Sequence, residues 1–143
     1  MLKKRRTFFW VGTLLCLLLI GVGYGYYLYQ KPHQSAGGET ADLAIPADSL
    51  YSQYQNDEQH CDKKYLGKVL QVTGKLSEIQ HAGQSEIWIL STLSPAGGGI
   101  NCQLFPGAKL PDPRPKPGEV VTIKGRCTGF LMDVNLADCV VTK

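Results

Sequence analysis

Cys61, Cys102, Cys127 and Cys139 are the side chains with the most chemistry to offer in this chain. Thiols can bridge, ligate a soft metal or attack an electrophile. Metal ligation is disfavoured by spacing: no Cys-x-x-Cys pair occurs, and His60 and His81 complete no zinc pattern. A cysteine nucleophile needs a base beside it. His60 and Cys61 are sequence neighbours that point to different sides of a helical turn. Gly-x-Ser-x-Gly, phosphate-loop and His-Glu-x-x-His signatures do not occur. These residues read as a non-enzymatic protein with no metal site and no cofactor.

A second set of residues could bind rather than react. Trp88, Phe105 and Phe130 are strand aromatics for which core packing is the commoner fate, and stacking bases on a ligand face is the functional alternative. Lys68, Lys75, Lys124 and Arg126 could line a basic stripe on the polar faces of two strands. Charge argues against nucleic acid without excluding it. The chain has a formal net charge of +3, but Lys3-Lys4-Arg5-Arg6 supply the excess. Residues 45–143 carry ten basic and ten acidic side chains, whereas phosphate binding calls for a positive footprint.

The elements that must position these side chains are organised around Gly67–Ile79. Leu70, Val72 and Leu76 fall on one face at period two and Gln71, Thr73 and Lys75 on the other, the pattern of a half-buried strand. Gly74 predicts a bulge or bend within it, and Gly125 does the same in a second strand from Glu119. Two long strands bent at glycines suggest a small curved barrel. Further strands are expected over 86–91, which is apolar on both faces, over 99–105, and from Met132 to Val141 after a turn near Gly129. Residues 106–118, with prolines at 111, 113, 115 and 117, read as a stiff connector rather than a recognition segment.

One helix is expected over 47–66, capped by Asp48 and ended by Gly67, with Leu50, Tyr54, Cys61 and Tyr65 on one face. So thin a stripe suits a plug or lid on the barrel. His60 and the helix carboxylates read as solvated. Residues 30–46 read as a polar linker containing a solvated His33. Residues 7–29 hold no charge and as a helix span about 35 Å, enough for a bilayer core of about 30 Å. Trp10 and the tyrosines at 24, 26, 27 and 29 suit its two interfaces, and the basic residues 1–6 place the N-terminus in the cytoplasm. No small-x-small cleavage site follows, and Leu14-Leu15 precede Cys16 where a lipoprotein signal needs small residues. The expectation is an uncleaved single-pass anchor in the inner membrane, with residues 47–143 as an extracytoplasmic domain. The Gly21 and Gly25 spacing could also pair helices, though such spacings are common.

Five short strands with a loop between the third and fourth is the order of an OB-fold barrel. Tyr54, Lys64-Tyr65, Gly67-Lys68, Val72-Thr73-Gly74, Val121–Gly129 and Asp138-Cys139 resemble the tRNA-anti-like OB-fold family over about residues 48–141. The resemblance implies a mainly β, five-stranded barrel in a small, often anchored or exported bacterial protein. It brings no reaction and no ligand residues. In an exported domain the four cysteines could bridge, and four allow three full connectivities. A hairpin turning near residue 130 sets Cys127 opposite residue 133 and leaves Cys139 about 20 Å away along the strand. In an OB barrel the third and fifth strands are neighbours, so Cys102 with Cys139 is an alternative. The pairing stays open, as does small-residue core packing. The function expected is a binding or interaction module for an envelope protein or small ligand, with oligonucleotide binding as the second reading.

Overall fold

In the computed structural model, which describes residues 2–29, 35–95 and 97–142, the elements run in chain order. They are α1 (Leu2–Tyr29), β1 (Leu43–Pro46), α2 (Ala47–Asn56), α3 (Glu58–Tyr65) and β2 (Val69–Ala82). Then come β3 (Ser85–Ser91), β4 (Gly99–Leu104), β5 (Val120–Leu131) and β6 (Asp133–Val141). His33, the first residues of the expected linker and Ala96 lie outside the described residues. The chain divides into two units, Met1–His33 and Gln34–Lys143.

The first unit is the helix α1, of 28 residues. Its described side chains from Leu14 to Leu28 are apolar and exposed around the helix, Leu17 and Val22 among them. Among the described residues no helix is long and apolar enough to cross a membrane. The span expected over 7–29 therefore rests on the sequence alone.

The second unit is the barrel. Strand β2 is long enough to serve two partners: Val69–Lys75 pair with β5, and Lys75–Ala82 pair with β3. The sheet order β1-β2-β3-β4-β6-β5 closes through the β2–β5 pairing, with β4 and β6 parallel. This is the five-stranded OB arrangement, with β1 added in parallel against the first half of β2. Leu70, Val72, Leu76, Trp88, Leu90, Ile100, Ile123 and Leu136 fill the interior from alternate positions.

Several expectations change. The bulge in β2 falls between Leu76 and Glu78, not at Gly74. Gly74 is required for another reason: a Cβ there would stand 2.7 Å from the Cβ of Ala47, where α2 crosses the strand. The single helix over 47–66 is two helices, because Asp57 leaves helical geometry at φ −155° and accepts the His60 N–H at 3.0 Å. Asp48 caps nothing in α2; it accepts the Leu93 N–H at 2.6 Å instead. Gly67 does end α3, in left-handed geometry at φ 77°.

The expected linker is also partly folded. Ala36 is buried, Ile45 faces the core, and Asp42 exchanges bonds of 2.8 Å with the Val69 backbone. Its few apolar residues were too short a run to reveal a four-residue strand. The last hairpin turns at Met132, at φ 67°, so β5 runs through Gly129 to Leu131. Cys127 consequently pairs with Leu136 rather than residue 133.

Leu50, Tyr51 and Tyr54 of α2 and Cys61 and Tyr65 of α3 cover the barrel core, at helical spacings of three and four residues. The proline-rich connector is pinned to the barrel. Leu110 packs on the core, Arg114 donates to Glu86 at 3.1 Å, and Gly118 donates to the Leu76 carbonyl at 2.7 Å.

Candidate binding groove on the outer sheet face

Because Trp88, Leu90, Ile100, Cys102 and Val134 point inward, the residues between them form the outer face of β3, β4 and β6. Ile89, Asn101 and Asn135 lie side by side across the three strands, and Ile87 stands beside Gln103 one step along. Around these rows lies a groove of about 360 Å³, closed by Gln80 of β2, Thr128 of β5 and Asp133. Its lining joins the side chains of Ile87 and Ile89 to the amides of Gln80, Asn101, Gln103 and Asn135. None of its lining residues is lysine or arginine.

Asp133 orders the polar wall. One carboxylate oxygen accepts the Gly99 N–H at 2.7 Å, and the other faces the Asn101 amide at 3.4 Å. Asn101 also reaches Asn135 Oδ1 at 3.3 Å, and Asn135 donates to the Asp133 carbonyl at 3.1 Å. Thr128 donates to the Asn135 carbonyl at 3.1 Å. Amides fixed in this way present ordered donors and acceptors beside apolar surface, the make-up of a site for an uncharged polar ligand or an extended peptide. A second cleft, of about 330 Å³, lies between α2 and the loop after β3, lined by Asp48, Tyr51, Gln55 and Leu93. Tyr51 is tied there by its hydroxyl to the Met132 carbonyl at 3.1 Å.

The aromatic and basic residues singled out in the sequence do not assemble into one face. Trp88 is fully buried, its indole N–H donating to Glu86 at 3.1 Å. That bond, with Arg114 helping, lowers the Glu86 pKa below the usual range. Phe130 stacks on Tyr54 at 5.5 Å between ring centres and meets Tyr51 edge-on at 5.8 Å, beneath α2. Phe105 is half-buried just past β4, its N–H bonded to the Cys139 carbonyl at 2.9 Å. Lys75 is exposed on β2 between Ser91 and Val120. Lys124 and Arg126 are engaged by the segment before β1. Lys124 donates to the Glu39 carbonyl at 2.7 Å, and Arg126 pairs with the Glu39 carboxylate at 2.6 Å. A stacking platform with a positive rim is not formed by these residues.

Cys61, Cys102, Cys127 and Cys139 are all buried and free. Cys127 lies 3.3 Å from the Tyr54 hydroxyl, and burial pushes the pKa of that hydroxyl up. Among the described residues no group of three or more metal-ligating side chains gathers. The groove residues were missed because amides carry no motif. The one signal was a strand apolar on both faces, in which Ile87 and Ile89 had to find cover other than the core.

Among solved structures, one described as a proposed nucleic acid-binding lipoprotein from Klebsiella pneumoniae is 16% identical, with a TM-score of 0.49. The match covers 70% of this chain and 92% of that one. An OBody bound to hen egg-white lysozyme is 18% identical with a TM-score of 0.39, over 56% of this chain and 86% of that one. No curated protein matches the chain. The sequence profile of the tRNA_anti-like family matches residues 1–141, so it takes in the N-terminal helix that the residue-level resemblance left out. The chain belongs to the tRNA_anti-like family.

Proposed function

We propose that this protein is a non-enzymatic binding module, an OB-fold barrel that takes an uncharged polar ligand or an extended segment of an envelope protein in the β3–β4–β6 groove. The observation that carries this reading is the composition of the groove: Ile87 and Ile89 flanked by Asn101, Gln103 and Asn135, with no cation among its lining residues. Residues 7–29 hold the module to the cytoplasmic membrane as a single pass, with residues 1–6 inside and the barrel outside. Supporting that placement are the uncharged run of 7–29, the basic residues before it and the exposed apolar side chains around α1.

Two measurements test the reading. Binding of labelled single-stranded oligonucleotides to the full chain in detergent should be undetectable at moderate salt. Saturable binding whose affinity falls steeply with salt would replace this reading with the oligonucleotide one, because phosphate contacts release counterions. Protease added to spheroplasts should digest the barrel and leave the anchor in the membrane fraction. Full protection of the barrel would overturn the topology.

A further inference from the structure

The outer face of β2 and β5 carries cations and no acid of its own. In the antiparallel register Arg126 stands beside Val69, Lys124 beside Gln71, Thr122 beside Thr73 and Val120 beside Lys75. Val121, Ile123 and Cys127 point into the core, so the residues between them line one outer strip. From Arg126 to Lys75 it runs about 20 Å along the strands. Residues 69–75 and 120–128 contain no carboxylate.

The acids that bind this strip, Glu39 and Asp42, both belong to the segment before β1. The Glu39 carboxylate accepts from Arg126 at 2.6 Å. Its carbonyl and that of Gly37 accept from Lys124 at 2.7 and 3.2 Å. Three residues on, the Asp42 carboxylate accepts the Val69 N–H at 2.8 Å, and the Asp42 N–H donates to the Val69 carbonyl at 2.8 Å. The strip thus binds a short acidic peptide, and the peptide is the chain's own.

That hold rests on polar contacts rather than burial. Within residues 35–42 only Ala36 is buried, and Gly37, Gly38, Thr40 and Asp42 are exposed. The ion pair is about a third exposed on both sides, so water and salt weaken it. Contacts of this kind can be exchanged for those of another peptide at little cost.

We propose that the β2–β5 strip is a docking site for an acidic extended segment of a partner protein, and that residues 35–42 occupy it as a displaceable strap. The partner supplies a carboxylate to Arg126, backbone carbonyls to Lys124 and, three residues later, a second carboxylate to the Val69 N–H. A peptide fits better than a phosphate chain, because Lys124 and Val69 both bond peptide backbone and the strip offers no aromatic ring for bases. None of these residues lines the β3–β4–β6 groove, so the site stands or falls independently of the reading given for that groove.

The test uses the full chain in detergent and a labelled, end-capped peptide with the sequence of residues 35–42, followed by fluorescence anisotropy at low salt. Glu39→Lys sets a cation against Arg126 and lifts the strap. It should raise the affinity for the peptide at least about tenfold over the natural chain, since the site no longer competes with its own occupant. Adding Arg126→Ala to that variant should abolish the gain, as should Gln and Asn at the two acidic positions of the peptide. Equal affinity in the natural chain and the Glu39→Lys variant, or a gain that survives Arg126→Ala, overturns the site. A single-stranded trinucleotide, matched to the peptide in charge, that binds the variant as tightly overturns the ligand class. Should the variant misfold, hydrogen exchange on the natural chain decides. Amides of residues 36–42 should exchange at least about a hundredfold faster than those of β2, because the strap opens without the barrel. Protection equal to that of β2 would make the segment a fixed part of the barrel and overturn the strap.

Discussion

Arg126 donates to the Glu39 carboxylate at 2.6 Å and to the Gly67 carbonyl at 2.8 Å, so one cation of β5 is bound to the segments on either side of the two short helices. Lys124, two residues earlier, closes on the Gly37 and Glu39 carbonyls. Two of the four cations in the basic stripe readable in the sequence, Lys124 and Arg126, are thus engaged by the chain itself. Both partners of the ion pair remain about a third exposed, which limits its worth to under about 1 kcal/mol.

Glu39→Gln should therefore leave the denaturant midpoint nearly unchanged while freeing Arg126. At low salt the variant should retain single-stranded oligonucleotide more strongly than the natural chain, with the gain abolished by salt. Retention that is identical in both proteins would mean that Glu39 does not quiet this face.

Glu86 accepts the buried indole N–H of Trp88 and pairs with Arg114 of the connector at 3.1 Å. The indole bond and Arg114 hold its carboxyl below its usual value of 4.5, so the folded state binds this proton less readily than the unfolded state. Its stabilising contribution is complete above the usual glutamate range and is lost as pH falls below it. Glu86→Ala leaves the indole donor without its partner and should cost about 1–3 kcal/mol at neutral pH. Glu86→Gln keeps an acceptor for the indole and should flatten the acid limb of a plot of stability against pH. A limb unchanged in the glutamine variant would assign acid sensitivity to other carboxylates.

Gly74→Ala places a methyl group against Ala47 and should destabilise by about 1–3 kcal/mol through overpacking. The companion change Ala47→Gly removes the opposing Cβ, so the double variant should recover part of the loss. Additive losses in chemical denaturation would show that the close approach is not what requires glycine. Gly67→Ala meets open space but a φ of 77°, and its expected cost of about 1 kcal/mol should not respond to Ala47→Gly.

Tyr54 joins packing to a polar contact: its ring stacks on Phe130 and its hydroxyl meets Cys127. Tyr54→Phe should cost about 0.5–1.5 kcal/mol, the worth of one hydrogen bond, and Tyr54→Ala about 3–5 kcal/mol. Equal losses by urea titration would place the energy in the hydroxyl rather than the ring.

The strands were legible because alternation survives in a half-buried sheet. Leu70, Val72 and Leu76, and Ile100, Cys102 and Leu104, stand inward as their spacing requires. The order of strands and loops carried the OB barrel, and the uncharged run of 7–29 raised the anchor. Four features were not legible: the break at Asp57, the strand β1, the turn at Met132 and the kink at Asp138. Strand β1 depends on pairing with residues 70–73, far along the chain, and the other three are single-residue backbone choices that apolar periodicity does not encode.

Sequence alone determined which faces of the strands are apolar, that the barrel's charges balance and that four cysteines lie in it, because these are properties of composition and period. Tertiary structure alone decided that Lys124 and Arg126 are spent on Glu39 and its neighbours, that Trp88 faces inward, and that Asn101, Gln103 and Asn135 share a groove. It also decided that Cys139 turns inward opposite Leu104, toward Gly125. Barrel closure sets the register between strands far apart in the chain, and a single residue of slip reverses which way a side chain points.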